Sequence, residues 1–235
     1  MPRTGPLALS PALPSELLTY ILSQSAKPTT LIICQPRTAF LSSLRDSITT
    51  HDDPSDNEGR SPPEHPLLVP TLHQIATSRH VKLVFIPTVS HLRAYMAVFP
   101  KEDHGQEGEK KTPLLVVYGL VELHRDTSEW SAQGLGNSVA GLVEAGWRGR
   151  LEVVVVERQV DDGGVSLNLD DLEMGEGEGR DARRVWEQRM PMLNGSVRRA
   201  GMESEDGGWS GRTVEVGRIL GRWFRFRKGN WELEE

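Results

Sequence analysis

Cysteine is nearly absent from this chain: of 235 residues only Cys34 is one. A single thiol excludes an internal disulfide framework and a cysteine-rich zinc site. Lying in the apolar run TLIIC, it reads as a small buried hydrophobe in a reducing compartment, nucleus or cytosol. Long apolar runs are missing too. None approaches the ~20 residues of a membrane span, so no membrane partner is expected. The opening MPRTGPLALSPALP shows no signal-peptide pattern, because its apolar part is short and broken by prolines. The seven histidines, His51, His65, His73, His80, His91, His104 and His124, are scattered without H-E-x-x-H or similar spacing, so no metal ligands are expected. There is no G-x-S-x-G elbow for a serine nucleophile and no internal repeat. The formal net charge of −6 and a pI near 5.7 argue against coating nucleic acid by bulk charge.

Two more absences concern nucleotides. A phosphate-cradling loop needs G-x-x-x-x-G-K-[ST] between a first strand and its helix, with backbone N–H groups around the phosphates and a lysine against them. The candidate first strand is PLALS, 6–10, and its helix begins near Ser15. Between them lies PALP, which has no glycine or lysine and whose prolines lack the N–H groups. No G-K-[ST] occurs anywhere. Lys111–Thr112 stands before a strand rather than after one. The second absence is in LLVVYGLVELHRDTSEW, 114–130, where a carboxylate at the strand's end would hold Mg²⁺. The residue there is Tyr118, and Glu122 reads as a solvated loop residue. No nucleotide cofactor is expected.

What is present alternates. Buried-strand runs are TLIIC (30–34), VKLVFI (81–86), LLVVY (114–118) and LEVVVVE (151–157). Helical periodicity marks 15–24, 37–48, 71–79 and 90–99. It also marks a long helix over 129–145, with Asp126 and Glu129 spaced as a capping box. That helix carries Gly134, Gly136 and Gly141, each costing roughly 1 kcal/mol against alanine, which points to close packing on the sheet or on another chain. Segments 50–66, 100–113 and 161–183 are polar or acidic, with composition unsuited to a buried core, and read as disordered inserts; 201–211 reads as a turn. VWEQRMPML, RTVEVGRIL and RWFRFRK read as strands. Fully apolar strands alternating with helices imply one domain over 1–235: α/β, a mostly parallel sheet with helices on both faces, extended by antiparallel C-terminal strands.

The order of elements resembles the RecA-like core of recombinases. TLIICQPRTAFLSSL is similar to the strand and helix that follow the phosphate-loop helix there. HVKLVFIPTVSHLRAYMAVF is similar to the next strand–helix unit. LLVVYGLVELHRDTSEWSAQGLGNSVAGLVEAG is similar to the metal-binding strand with its loop and long helix. VWEQRMPMLNGSVRR and RTVEVGRILGRWFRFRKGNWEL resemble the C-terminal hairpins. In character the chain resembles the small recombinase paralogues of Shu-type complexes. The resemblance implies a P-loop NTPase-type core with a degenerate nucleotide site, so a pseudo-ATPase rather than an enzyme. It implies a nuclear, non-catalytic subunit that assists recombinase filaments in homologous-recombination repair. The implied partners are other RecA-like recombinase paralogues, a zinc-binding Shu-type partner and single-stranded DNA. Two alternatives stay open. One is a RecA-like scaffold of the Elongator complex in tRNA wobble-uridine modification, with a cytoplasmic location; the other is an ATPase whose missing motif a partner completes.

The basic, aromatic C-terminus has two readings. Arg222, Trp223, Arg225, Arg227 and Lys228 could hold single-stranded DNA by stacking and phosphate contacts. Strand alternation would place Arg222, Phe224 and Phe226 on one face and Trp223, Arg225 and Arg227 on the other. The plainer and favoured reading is an edge strand whose exposed arginines discourage unwanted pairing.

Overall fold

The computed structural model describes residues 5–23, 27–49, 65–99, 112–159, 185–193, 212–229 and 231. Of the three expected inserts, only the ends at 65–66 and 112–113 fall among these residues; the turn at 201–211 falls outside them. The strands are β1 (Leu7–Ala12), β2 (Thr29–Ile33), β3 (Val81–Phe85), β4 (Leu114–Tyr118), β5 (Glu152–Arg158), β6 (Arg189–Pro191), β7 (Thr213–Glu215) and β8 (Arg225–Arg227). The helices are α1 (Pro14–Ser23), α2 (Arg37–Thr49), α3 (Leu72–Ser78), α4 (Val89–Ala97), α5 (Leu120–His124), α6 (Ala132–Gly149) and α7 (Val216–Leu220).

Six strands form one sheet in the order β3-β2-β4-β5-β1-β8, and every pairing in it is parallel. The central strands explain their own sequences. In β4, Leu115 and Val117 enter one core layer while Leu114, Val116 and Tyr118 enter the other. A strand buried on both faces has no position for a polar side chain, so it reads as an unbroken apolar run. One layer contains Leu17 and Ile21 of α1 and Phe40 of α2. The other contains Leu92 and Met96 of α4, the apolar face of α6, and Ile219 and Leu220 of α7. The fold class is therefore α/β, a parallel sheet with helices on both faces.

The C-terminal third differs from its sequence reading. β8 joins β1 in parallel, with Leu7 beside Arg225, so it does not give the sheet an antiparallel edge. Antiparallel pairing occurs instead in a separate two-stranded sheet, β6 with β7, where Met190 faces Val214. VGRIL, expected as strand, is α7: Val216, Ile219 and Leu220 are buried at helical spacing. RWFRFRK is strand only at Arg225–Arg227, because 221–223 is a turn.

The β4–α6 connection also differs. A short helix, α5, was not foreseen, and Asp126 does not cap α6. Asp126 has a left-handed backbone, φ 57°. The cap is Ser131, whose side chain accepts from the Gly134 N–H. The long helix consequently starts at Ala132 rather than 129 and runs on to Gly149. Trp130, expected on it, precedes it.

Candidate functional site: the C-terminal rim of the sheet

Ligands of open parallel sheets sit at the C-terminal ends of the strands. In this chain that rim is made by the ends of β1, β4 and β5. β1 runs through Ala12 and α1 begins at Pro14, so Leu13 alone connects them. A single residue cannot wrap a phosphate. Its N–H is already used, donating to Glu16 Oε2 at 2.7 Å.

Tyr118 lies 1% exposed at the end of β4. Its hydroxyl donates to the Ala12 carbonyl at 2.9 Å, across 106 residues of sequence, and the Gln159 N–H donates to the same oxygen at 3.1 Å. The phenol thus ties the end of β4 to the end of β1. Burial, only partly offset by Arg158, holds its pKa well above the ordinary 10.0, so it stays protonated. The ring packs edge-on against Phe40 of α2, centroids 6.2 Å apart. Next comes Gly119, with φ 80°. A β-carbon there would sit against the side-chain stem of Arg158, which caps the strand end from β5.

Glu157, 2% exposed, is the unexpected member. It ends the valine run of β5 and accepts from the Val121 N–H at 2.9 Å, and the N–H groups of Leu120 and Glu122 also face it. Burial pushes its carboxyl up to about 8 against the helpful N–H groups, so it is mostly protonated at neutral pH. Nearby Cys34 is raised well above its ordinary 9.0 by burial first and by Glu157 second. That makes it an unreactive thiol, in keeping with its reading as a small hydrophobe. Gln35, 7% exposed, has no hydrogen-bond partner for either amide atom among the described residues.

A second buried polar group, missed in the sequence, lies at the other end of α5. His124 is fully buried. Its Nδ1 lies 2.9 Å from the Leu120 carbonyl and its Nε2 lies 2.9 Å from Ser138 Oγ. A carbonyl only accepts, so Nδ1 carries the proton and Nε2 accepts from the Ser138 hydroxyl. Arg93 of α4 donates to Ser138 Oγ at 3.2 Å, to the Gly134 carbonyl at 2.9 Å and to Glu129 Oε2 at 2.6 Å. Nothing in the spacing of His124 among scattered histidines signals this. The one available hint is a histidine closing an otherwise apolar turn, LVELH.

No family model matches the chain, and no curated protein matches it. Among solved structures, a DnaB-like replicative helicase, studied with its primase interactions, is similar with a TM-score of 0.36 and 9% identity. The match covers 75% of this chain and 44% of that one, so this chain spans under half the helicase's length. No residue role passes from a likeness of that size.

The basic C-terminal residues lie on and beside β8, at the edge of the sheet. Arg222, Trp223, Arg225, Arg227 and Lys228 are all exposed, with Trp223 at 44%. Arg225 and Arg227 alternate with Phe226 along β8 and so share a face. Arg222 and Trp223 sit in the preceding turn, outside that alternation. Phe224 is buried in the core, and Phe226 meets Trp186 edge-on at 5.3 Å. β8 is thus a short, exposed edge strand that carries two arginines. Among the described residues, no group of three or more His, Cys, Asp or Glu side chains is placed to hold a metal.

Proposed function

We propose that this chain is a RecA-like subunit without ATP turnover, working in homologous-recombination DNA repair as an assembly partner. In this reading it is nuclear and binds other RecA-like recombinase paralogues or a zinc-binding Shu-type partner. Its β8 edge, through Arg222, Trp223, Arg225, Arg227 and Lys228, contacts single-stranded DNA. The observation that supports the reading is the filled rim. Where a nucleotide's phosphates and metal would lie, one residue joins β1 to α1, and the Tyr118 phenol bonds the Ala12 carbonyl. Such a rim offers a surface and not a phosphate cradle.

The test is affinity purification of the tagged chain from its own cells, with mass spectrometry, beside calorimetric titration of the pure protein with Mg²⁺–ATP. Recombinase paralogues in the first and no heat of binding in the second are expected. Elongator subunits would move the protein to tRNA modification. ATP turnover, abolished by a rim mutation, would overturn the pseudo-ATPase reading. For the DNA contact, Arg225→Glu with Arg227→Glu is expected to weaken single-strand binding by the assembled complex and to flatten its salt dependence.

A further inference from the structure

α5 is too short to be stable by itself. It is held by one buried ionisable group at each end, supplied from different directions. At its N-terminus is Glu157 of β5, accepting from Val121. At its C-terminus is His124, whose ring joins the helix to Ser138 of α6 and through it to Arg93 of α4. The loop that follows hangs on the same residue. The Thr127 hydroxyl donates to the His124 carbonyl at 2.7 Å, and the Glu129 N–H donates to Thr127 Oγ1 at 3.1 Å. Between them Arg125 bonds Glu122 at 2.8 Å and Gln188, next to β6, at 3.0 Å.

We propose that α5 is a two-ended, pH-sensitive latch on the C-terminal rim, whose two ends loosen in opposite directions of pH. The chemistry of each end sets its direction. A second proton on His124 would turn Nε2 into a donor facing a hydroxyl that now donates to it. Ser138 could then donate only to the Gly134 carbonyl, at 3.4 Å and already held by Arg93. Charged neighbours divide: Arg93 opposes the second proton and Glu129 favours it, while burial opposes it most, so the ring's pKa lies below its ordinary 6.5. A group depressed in the closed form favours opening as pH falls. Glu157 is the reverse case. It accepts from the α5 N–H groups, and the Glu122 carboxylate and the Cys34 thiol are the titratable groups near it on its face of the sheet. None of these is a cation, and its closed form is neutral. Opening that wets it is favoured as pH rises from its ordinary 4.5 through about 8. Acid therefore frees the loop after His124 and tightens the helix start; base does the opposite.

Residue-resolved hydrogen exchange of the full chain, corrected for intrinsic rates, tests this between pH 5.0 and 7.5. On lowering the pH, opening at the amides of Thr127 and Glu129 is expected to rise by up to about 30-fold, the ceiling set by a free imidazole of pKa 6.5. On raising it, opening at Val121 is expected to rise by up to about 200-fold, the ceiling set by a carboxyl that returns from about 8 to its ordinary 4.5 when wetted. Glu157→Gln is expected to flatten the Val121 slope only, and His124→Asn the Thr127 slope only. Should His124→Asn not fold, Ser138→Ala keeps the ring and removes its hydroxyl partner, and the acid slope should shrink. Parallel slopes at both ends, or slopes unchanged by these variants, would overturn the latch.

Discussion

Tyr118 shows how one residue decides what a strand end can do. A carboxylate there would project two acceptors toward solvent; the phenol instead brings a donor and a ring that fills the space. Tyr118→Phe removes the donor alone. The Ala12 carbonyl keeps the Gln159 N–H, so no acceptor is orphaned, and the loss is expected at about 1 kcal/mol, the low end for a buried hydrogen bond. Tyr118→Asp leaves both a void and a buried carboxylate, and is expected to cost more than 3 kcal/mol. Urea unfolding of both variants checks the order; equal losses would show that the hydroxyl, and not the ring, ties β4 to β1.

Among elements, α6 answers what its glycines are for. A β-carbon on Gly134 would run into the Glu129 carbonyl, and one on Gly146 into Val153 of β5, whereas Gly136 faces open space. Close packing on the loop and on the sheet therefore accounts for the first two. Gly136→Ala is expected to stabilise by about 1 kcal/mol by helix propensity, and Gly134→Ala to destabilise by about 1–3 kcal/mol by overpacking. Denaturant midpoints with unchanged slopes would confirm that order.

The same scale shows what sequence could reveal. The strands β2, β4 and β5 were legible because burial on both faces leaves an unmistakable apolar run. The missing phosphate loop was legible because it is a local pattern. α5 and α7 were not: each has five residues, under two turns, so no period can establish itself. VGRIL, rich in branched side chains, imitates a strand. The parallel direction of β8 was illegible because pairing with β1 joins residues more than 200 apart, Leu7 with Arg225. Likewise Tyr118 was seen as a departure, but its partner Ala12 belongs to a distant strand. Glu157 closes the run LEVVVVE with nothing local to mark it; only the approach of α5 makes it a buried cap.

At the scale of the whole molecule, the two faces of the sheet are packed unequally. The face under α4 and α6 carries the larger core cluster. The face under α1 retains a small apolar cavity of about 60 Å³, bounded by Leu17 and Ile21 above and Val116 and Val154 below. Its mouth is polar, with Tyr20 and the Lys27–Glu152 ion pair, 3.4 Å apart. Val116→Ile adds one methylene at the floor of the cavity and is expected to recover about 1 kcal/mol, raising Tm by about 2–4 °C. Because Val116 points away from the layer that holds His124, and the cavity lies toward the N-terminal ends of the strands, rim properties should not move with it. Calorimetry of Val116→Ile, read beside exchange at Val121 and Thr127, checks both halves. A higher Tm with unaltered slopes at α5 would show that core packing and the rim latch are separable in this fold. A lower Tm would mean the cavity walls cannot admit the added methylene, and that the void is fixed by the seating of α1 rather than by the size of one side chain.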